Sequence, residues 1–127
     1  MIEELETATY DFDINAGATL VRYITMYLPK GLLTDPNVPF PFTGFIGRAQ
    51  IRRNATATTA YDITVELQAA GLMKLSMVDE LTATIPCGLL KTDTRSRYVW
   101  ALELAHVSGY VLRPLEGTVR ISAEVVK

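Results

Sequence analysis

The sequence predicts an all-β sandwich, and three observations carry that prediction. Apolar and polar residues alternate with a period of two along several segments, as they do on strands with one wet face. Turn-forming glycines and asparagines separate these segments. The length of 127 residues is enough for one core and leaves no room for two, so residues 1–127 form a single domain. Hydrophobic residues at 49% and charged residues at 20% exclude a disordered chain.

The elements follow in chain order. Thr9–Ile14 is the first strand, closed by a turn at Asn15-Ala16-Gly17. Thr19–Leu28 is the second. It is apolar on both faces (Leu20, Val21, Tyr23, Ile24, Met26, Tyr27), which predicts a central strand or one whose second face is buried against a partner. Gly44–Arg52 is the third and carries Arg48, Gln50 and Arg52 on its polar side; Asn54 to Ala60 is its hairpin tip. Tyr61, Ile63, Val65 and Leu67 alternate with Asp62, Thr64 and Glu66 to give the fourth, and Leu72–Met77 gives the fifth. One short helix is expected through Val78–Ala83, capped by Ser76 or a neighbour, with Asp79 and Glu80 in the first turn and Pro86 and Gly88 as stops. Tyr98, Trp100, Leu102 and Leu104 share the apolar face of the next strand, which places Trp100 in the core. Ser108-Gly109 turns the chain into a last strand in which Leu115, Gly117, Val119, Ile121, Ala123 and Val125 face one way, with a bend near Gly117. About seven to eight antiparallel strands with one short helix define an immunoglobulin-like β-sandwich.

Two connections exceed what such a sandwich needs. Residues 29–43 form a long proline-rich loop holding four of the six prolines together with Leu32, Leu33, Val38, Phe40 and Phe42. Phe40 and Phe42 lie two apart, so in an extended chain both rings point to one side and are expected to anchor a neighbouring subunit. The alternative is that the loop folds back and caps its own sandwich. Gly88 to Arg97 sets Lys91, Arg95 and Arg97 against the single Asp93. The candidate partner contacts are therefore Leu32, Leu33, Phe40, Phe42, Arg95 and Arg97, with Arg48 and Arg52 as charged seconds.

Several function classes drop out. A formal net charge of -2 supplies no global field for nucleic acid or an anionic membrane. The longest uncharged stretch, Pro36 to Gly47, holds three prolines and two glycines and does not span a bilayer. The acidic start Met-Ile-Glu-Glu-Leu-Glu lacks the basic region of a signal peptide, so synthesis in a cytoplasm is expected. One cysteine, Cys87, and one histidine, His106, preclude a disulfide framework and multi-cysteine zinc patterns. Asp11 and Asp13 share a strand face that could meet a cation, but such a pair is ordinarily a solvated face. Cys87 and His106 form no catalytic signature, and neither a glycine-rich phosphate loop nor a nucleophile elbow is present. The expectation is a protein with no catalytic, metal or cofactor site.

The ordered segments Tyr10-Asp11-Phe12-Asp13-Ile14, Phe42-Thr43-Gly44-Phe45, Arg48 to Arg52, Leu81 to Gly88, Tyr98 to Leu104 and Val111 to Val119 with Ser122-Ala123-Glu124-Val125 carry a resemblance over nearly the whole chain. Together they resemble small immunoglobulin-like β-sandwich structural proteins of tailed bacteriophages, encoded near tail or fibre genes. The Pro29–Thr43 and Lys91–Arg97 stretches are longer than that pattern. The resemblance implies a non-enzymatic virion component made in the host bacterial cytoplasm, placed in a tail or baseplate as an adaptor for a fibre or neighbouring subunit. It implies other virion proteins as partners and multiple copies in a symmetric assembly, with neither nucleic acid nor membrane bound. The alternatives are a capsid decoration protein and a carbohydrate-binding module recognising the host surface, for which Tyr23, Tyr27 and Tyr110 are the available aromatic platforms.

Overall fold

The computed structural model describes residues 7–27 and 38–123. The strands are β1 (Ala8–Thr9), β2 (Phe12–Asn15), β3 (Leu20–Thr25), β4 (Phe45–Arg52), β5 (Tyr61–Leu67), β6 (Leu72–Met77), β7 (Arg97–His106) and β8 (Val111–Ser122). A four-residue helix, α1 (Asp79–Thr82), and two short 3-10 turns complete the described elements. The fold is all-β and immunoglobulin-like with one small helix, as the alternation predicts.

Hydrogen bonding runs along one curled path, β1-β8-β7-β4-β5-β6-β3, with β2 also beside β8. The path bends into two layers. The front layer is β1 and β2, β8, β7, β4 and the start of β5; the back layer is the rest of β5, β6 and β3. Strand β5 hands over between them, Tyr61 to Ile63 pairing with β4 and Thr64 to Leu67 with β6. Gly47 lies beneath this handover: a Cβ there would lie 2.5 Å from Val65 Cγ1, so a larger residue would force Val65 to shift. The chain therefore passes from layer to layer at β2–β3, at β3–β4, within β5 and through α1, the Greek-key route of an immunoglobulin-like sandwich.

The core lies between the layers. Ile14, Ile51, Trp100, Leu102, Leu104, Val119 and Ile121 of the front face Leu20, Met73, Leu75 and Met77 of the back, all buried. Trp100 is 2% exposed and meets Phe12 edge-on at 5.2 Å between ring centroids, as its place in the alternation predicts. Tyr98 is also buried, and its hydroxyl donates to the Pro86 carbonyl, tying the start of β7 to the connection before it.

Four details depart from the sequence reading. The first strand breaks at Tyr10–Asp11, and its two parts run parallel to β8, so the sheet is not wholly antiparallel. Strand β3 is not central: among the described residues it pairs with β6 alone. Ser76 does not cap α1 but sits in β6 between Val21 and Thr64, and the residue before the helix is Val78, which makes no side-chain cap bond. The helix is instead fixed at its far end by Thr82, whose buried hydroxyl donates to Ala18 O at 2.8 Å and accepts from Gly17 N. Finally, β8 shifts register between Leu102–Leu115 and Leu104–Leu112, so the extra residue falls at Arg113–Pro114 rather than at Gly117. Proline suits that bulge because its missing N–H takes no ladder bond.

Gly117 has a different task. A Cβ on it would stand 2.3 Å from Tyr10 O and 2.7 Å from Asp11 Oδ1, so the break between β1 and β2 rests directly on it. There Tyr10 O accepts from Trp100 Nε1 at 2.7 Å, Tyr10 N donates to Glu116 O at 2.9 Å, and Asp11 Oδ1 accepts from Thr118 N at 2.8 Å.

Candidate functional site

The outward side of the front layer is concave. Strand pairing sets its side chains in rows across β4, β7 and β8. Ile46, Ala105 and Val111 form the first row, at the β7–β8 hairpin end. Arg48 and Glu103 form the second, joined by Arg113, whose Nη2 lies 3.3 Å from Glu103 Oε2. Gln50, Ala101 and Glu116 form the third; Arg52, Val99 and Thr118 the fourth. The β4–β5 hairpin tip curls over the lower rows and helps enclose a groove of about 1000 Å³. Arg52 draws the tip in, donating through Nη1 to Ala57 O and through Nη2 to Gln50 Oε1.

The first row is apolar and open. Ile46 is 70% exposed and Val111 57%, and Val107 in the adjoining turn is 81% exposed. Beneath it Arg48 is exposed and, among the described residues, in no ion pair. An apolar strip bordered by arginines is the composition typical of protein contact surfaces, where arginine is the enriched cation.

The sequence candidates separate in the structure. Leu32 and Leu33 lie outside the described residues. Phe40 is corrected: at 1% exposure it belongs to this chain's own core, packed 5.6 Å from Phe45, because its backbone N–H is held by Met26 O at 3.0 Å and turns the ring inward. Phe42 is half-buried against Phe40 at 5.5 Å. This part of the connection folds back on its own sandwich. Arg48 and Arg52 do share the groove, although Arg52 is engaged in bracing the hairpin. Arg97 stands at the far end of β7, opposite Arg120. Arg95 pairs with Asp93 at 3.2 Å; these bonds hold the Asp93 carboxyl below its usual value and the Arg95 guanidinium above its own.

The alternation that places Arg48 outward also places Ile46 outward, and the phase of Arg113 does the same for Val111; both were legible as contact residues and were not singled out. Leu89 and Leu90, 82% and 68% exposed, were missed as well. They project from a connection fixed by the buried Ser96 hydroxyl, which accepts from Gly88 N and donates to Leu90 O.

Groups with chemical potential are otherwise engaged. Cys87 is half-buried beside Pro86, near Tyr98, whereas His106 ends β7, eight residues or about 26 Å further along the strand. They do not form a nucleophile–base pair. Asp13 pairs with Lys91 at 3.1 Å and Asp11 caps Thr118, and no group of three metal-ligating side chains occurs among the described residues. Of the three tyrosines open to a sugar-stacking role, Tyr23 and Tyr27 are exposed at 60% and 47%, while Tyr110 stacks on His106 at 4.8 Å.

No protein-family model matches the chain, and no curated protein does. Among solved structures it is similar to the SrpA adhesin R347E mutant from Streptococcus sanguinis, with 6% identity and a TM-score of 0.47 over 89% of this chain and 55% of that one. It is also similar to murine CRIg, with 9% identity and a TM-score of 0.36 over 90% of this chain and 92% of that one. The chain thus spans about half the length of the adhesin chain.

Proposed function

We propose that this chain is a non-enzymatic structural component of a tailed-bacteriophage particle, seated in the tail or baseplate as an adaptor that docks a fibre or neighbouring subunit. The placement in a virion is supported by the sequence resemblance. The docking role is supported by one observation, the exposed apolar row Ile46–Ala105–Val111 set against Arg48 and the Arg113–Glu103 pair on a rigid sheet. Covering such a row removes apolar surface from water without reorganising a backbone that three strands already hold. Arg48 and its neighbours orient the partner, since a misplaced like charge there is costly. Its partners are other virion proteins, with neither nucleic acid nor membrane among them.

Ile46→Lys with Val111→Lys tests the reading. Both side chains already face solvent, so the variant domain keeps its melting temperature, and it is absent from particles assembled in its presence. Incorporation at the wild-type level refutes docking through this face. Copy number per particle then separates the tail placement, with few copies, from decoration of a capsid, with hundreds.

A further inference from the structure

The outward face of the front layer continues past its fourth row to Arg97, Arg120 and Asp13, which lie side by side on β7, β8 and β2. Arg97 is exposed and Arg120 half-buried, and their Cα atoms are about 4.5–5.5 Å apart, the spacing of directly opposed strand residues. Like charges in that position destabilise a sheet unless something answers them. The nearby carboxylates are otherwise engaged. Asp13 is held by Lys91 at 3.1 Å, Asp93 by Arg95 at 3.2 Å, and Asp11 accepts from Thr118 N at 2.8 Å. Among the described residues neither Arg97 nor Arg120 is in an ion pair. The backbone at this end is fixed: Arg53 Nη1 donates to Arg95 O at 2.7 Å and to Arg97 O at 3.3 Å, and its guanidinium lies 4.4 Å from the centre of the Tyr98 ring.

We infer that Arg97 and Arg120 form a binding site for a phosphate group, with Lys91 as a third cation beside it. This goes beyond the proposed function, which uses the hairpin end of the same face. Charge and geometry select the ligand. A carboxylate matches the fork of one guanidinium and cancels one charge. A phosphate dianion offers oxygens to both forks at once and cancels both charges. Lys91 spends one of its three N–H groups on Asp13, and its side chain is 55% exposed, so the others remain open to the ligand. The excess is local, because the chain as a whole carries a net charge of -2. That suits a single phosphate, free or as the end group of a larger molecule, and not a polyanion running across the surface.

Calorimetric titration of the purified chain with inorganic phosphate at low ionic strength tests the site. Saturable binding is expected, weakened about tenfold or more in Arg97→Gln and in Arg120→Gln, each of which loses a charge-assisted bond. Thermal melting gives a second reading. In chloride each variant is expected to melt at or above the wild-type temperature, because a like-charge contact has been removed. Phosphate at equal ionic strength is expected to raise the wild type above both variants, since a ligand bound only by the folded state stabilises it. Glycerol phosphate then separates the two sources. Binding as tight as that of inorganic phosphate assigns the end group of a larger molecule, and binding of inorganic phosphate alone assigns the free ion. Absence of saturable binding of inorganic phosphate overturns the inference, as does a phosphate effect equal in the wild type and both variants. So does a variant that melts below the wild type in chloride, which places its guanidinium in contacts within the chain. The titration needs no particle, so its outcome and that of the docking test are read separately.

Discussion

Gly117→Ala tests how the N-terminal strands are held. The added methyl cannot be accommodated by a side-chain rotation, because the nearest atom, at 2.3 Å, is the Tyr10 carbonyl oxygen. The β1–β2 break has to lift off β8, and three hydrogen bonds go with it: Trp100 Nε1 to Tyr10 O, Tyr10 N to Glu116 O, and Thr118 N to the Asp11 carboxylate. Each is worth about 1 kcal/mol net, the carboxylate bond somewhat more, and a buried indole N–H left without a partner costs a further 1–3 kcal/mol or so. Replacing glycine by alanine in a strand returns roughly 0.5–1 kcal/mol. The net destabilisation is about 3–6 kcal/mol, a fall of roughly 10–20 °C in melting temperature for a chain of this size. The assay is denaturant unfolding followed by the fluorescence of Trp100, the one tryptophan, which is also the residue that loses its acceptor. A midpoint change equivalent to less than about 0.5 kcal/mol, the range of an ordinary surface substitution, refutes the close approach as a determinant of stability.

Two further outcomes are expected. Phe40→Ser removes a buried ring and lowers stability by about 3–5 kcal/mol, whereas Phe42→Ser costs less because that ring is half-buried; equal, small effects on thermal melting would return both rings to the surface. Burial raises the Tyr98 phenol above 10.0, with the nearby Arg53 guanidinium partly opposing it. The native state therefore holds this proton to higher pH than the unfolded chain, and the stability it contributes is complete below pH 10.0 and lost as pH rises through the folded value. Tyr98→Phe loses the bond to Pro86 O, about 1 kcal/mol at neutral pH, and its deficit narrows in alkali. A deficit that stays constant across unfolding curves taken up to about pH 11 contradicts the shift.

Strand alternation made most of the fold legible. The segments around Tyr61–Leu67, Leu72–Met77 and Tyr98–Leu104 each bury one parity of residues, and that parity is visible without coordinates. Pairing partners were not visible, because alternation fixes which face a residue occupies but not which strand lies beside it. That is why β3 read as either central or covered by a partner, and why the parallel seating of β1 and β2 was missed. The candidate site was legible on the same terms. Arg48 was found through its charge, while Ile46, two residues earlier on the same exposed face, was not singled out because an apolar side chain carries no such signal. For Phe40 a proline-rich setting suggested an exposed loop, yet a single backbone bond to Met26 turns the ring into the core.

The parallel seating of β2 on β8 has a mechanical consequence. Ala8 lies beside Leu115 and Asn15 beside Ser122, so the described chain comes in at one pole of the sandwich and goes out at the other, about 25–30 Å away. Tension between those poles pulls β2 and β8 past each other along their length. The hydrogen bonds joining them share that load at once instead of opening one after another like a zip. A pull applied at Ala8 and Ser122 therefore meets the whole set of β2–β8 bonds in shear.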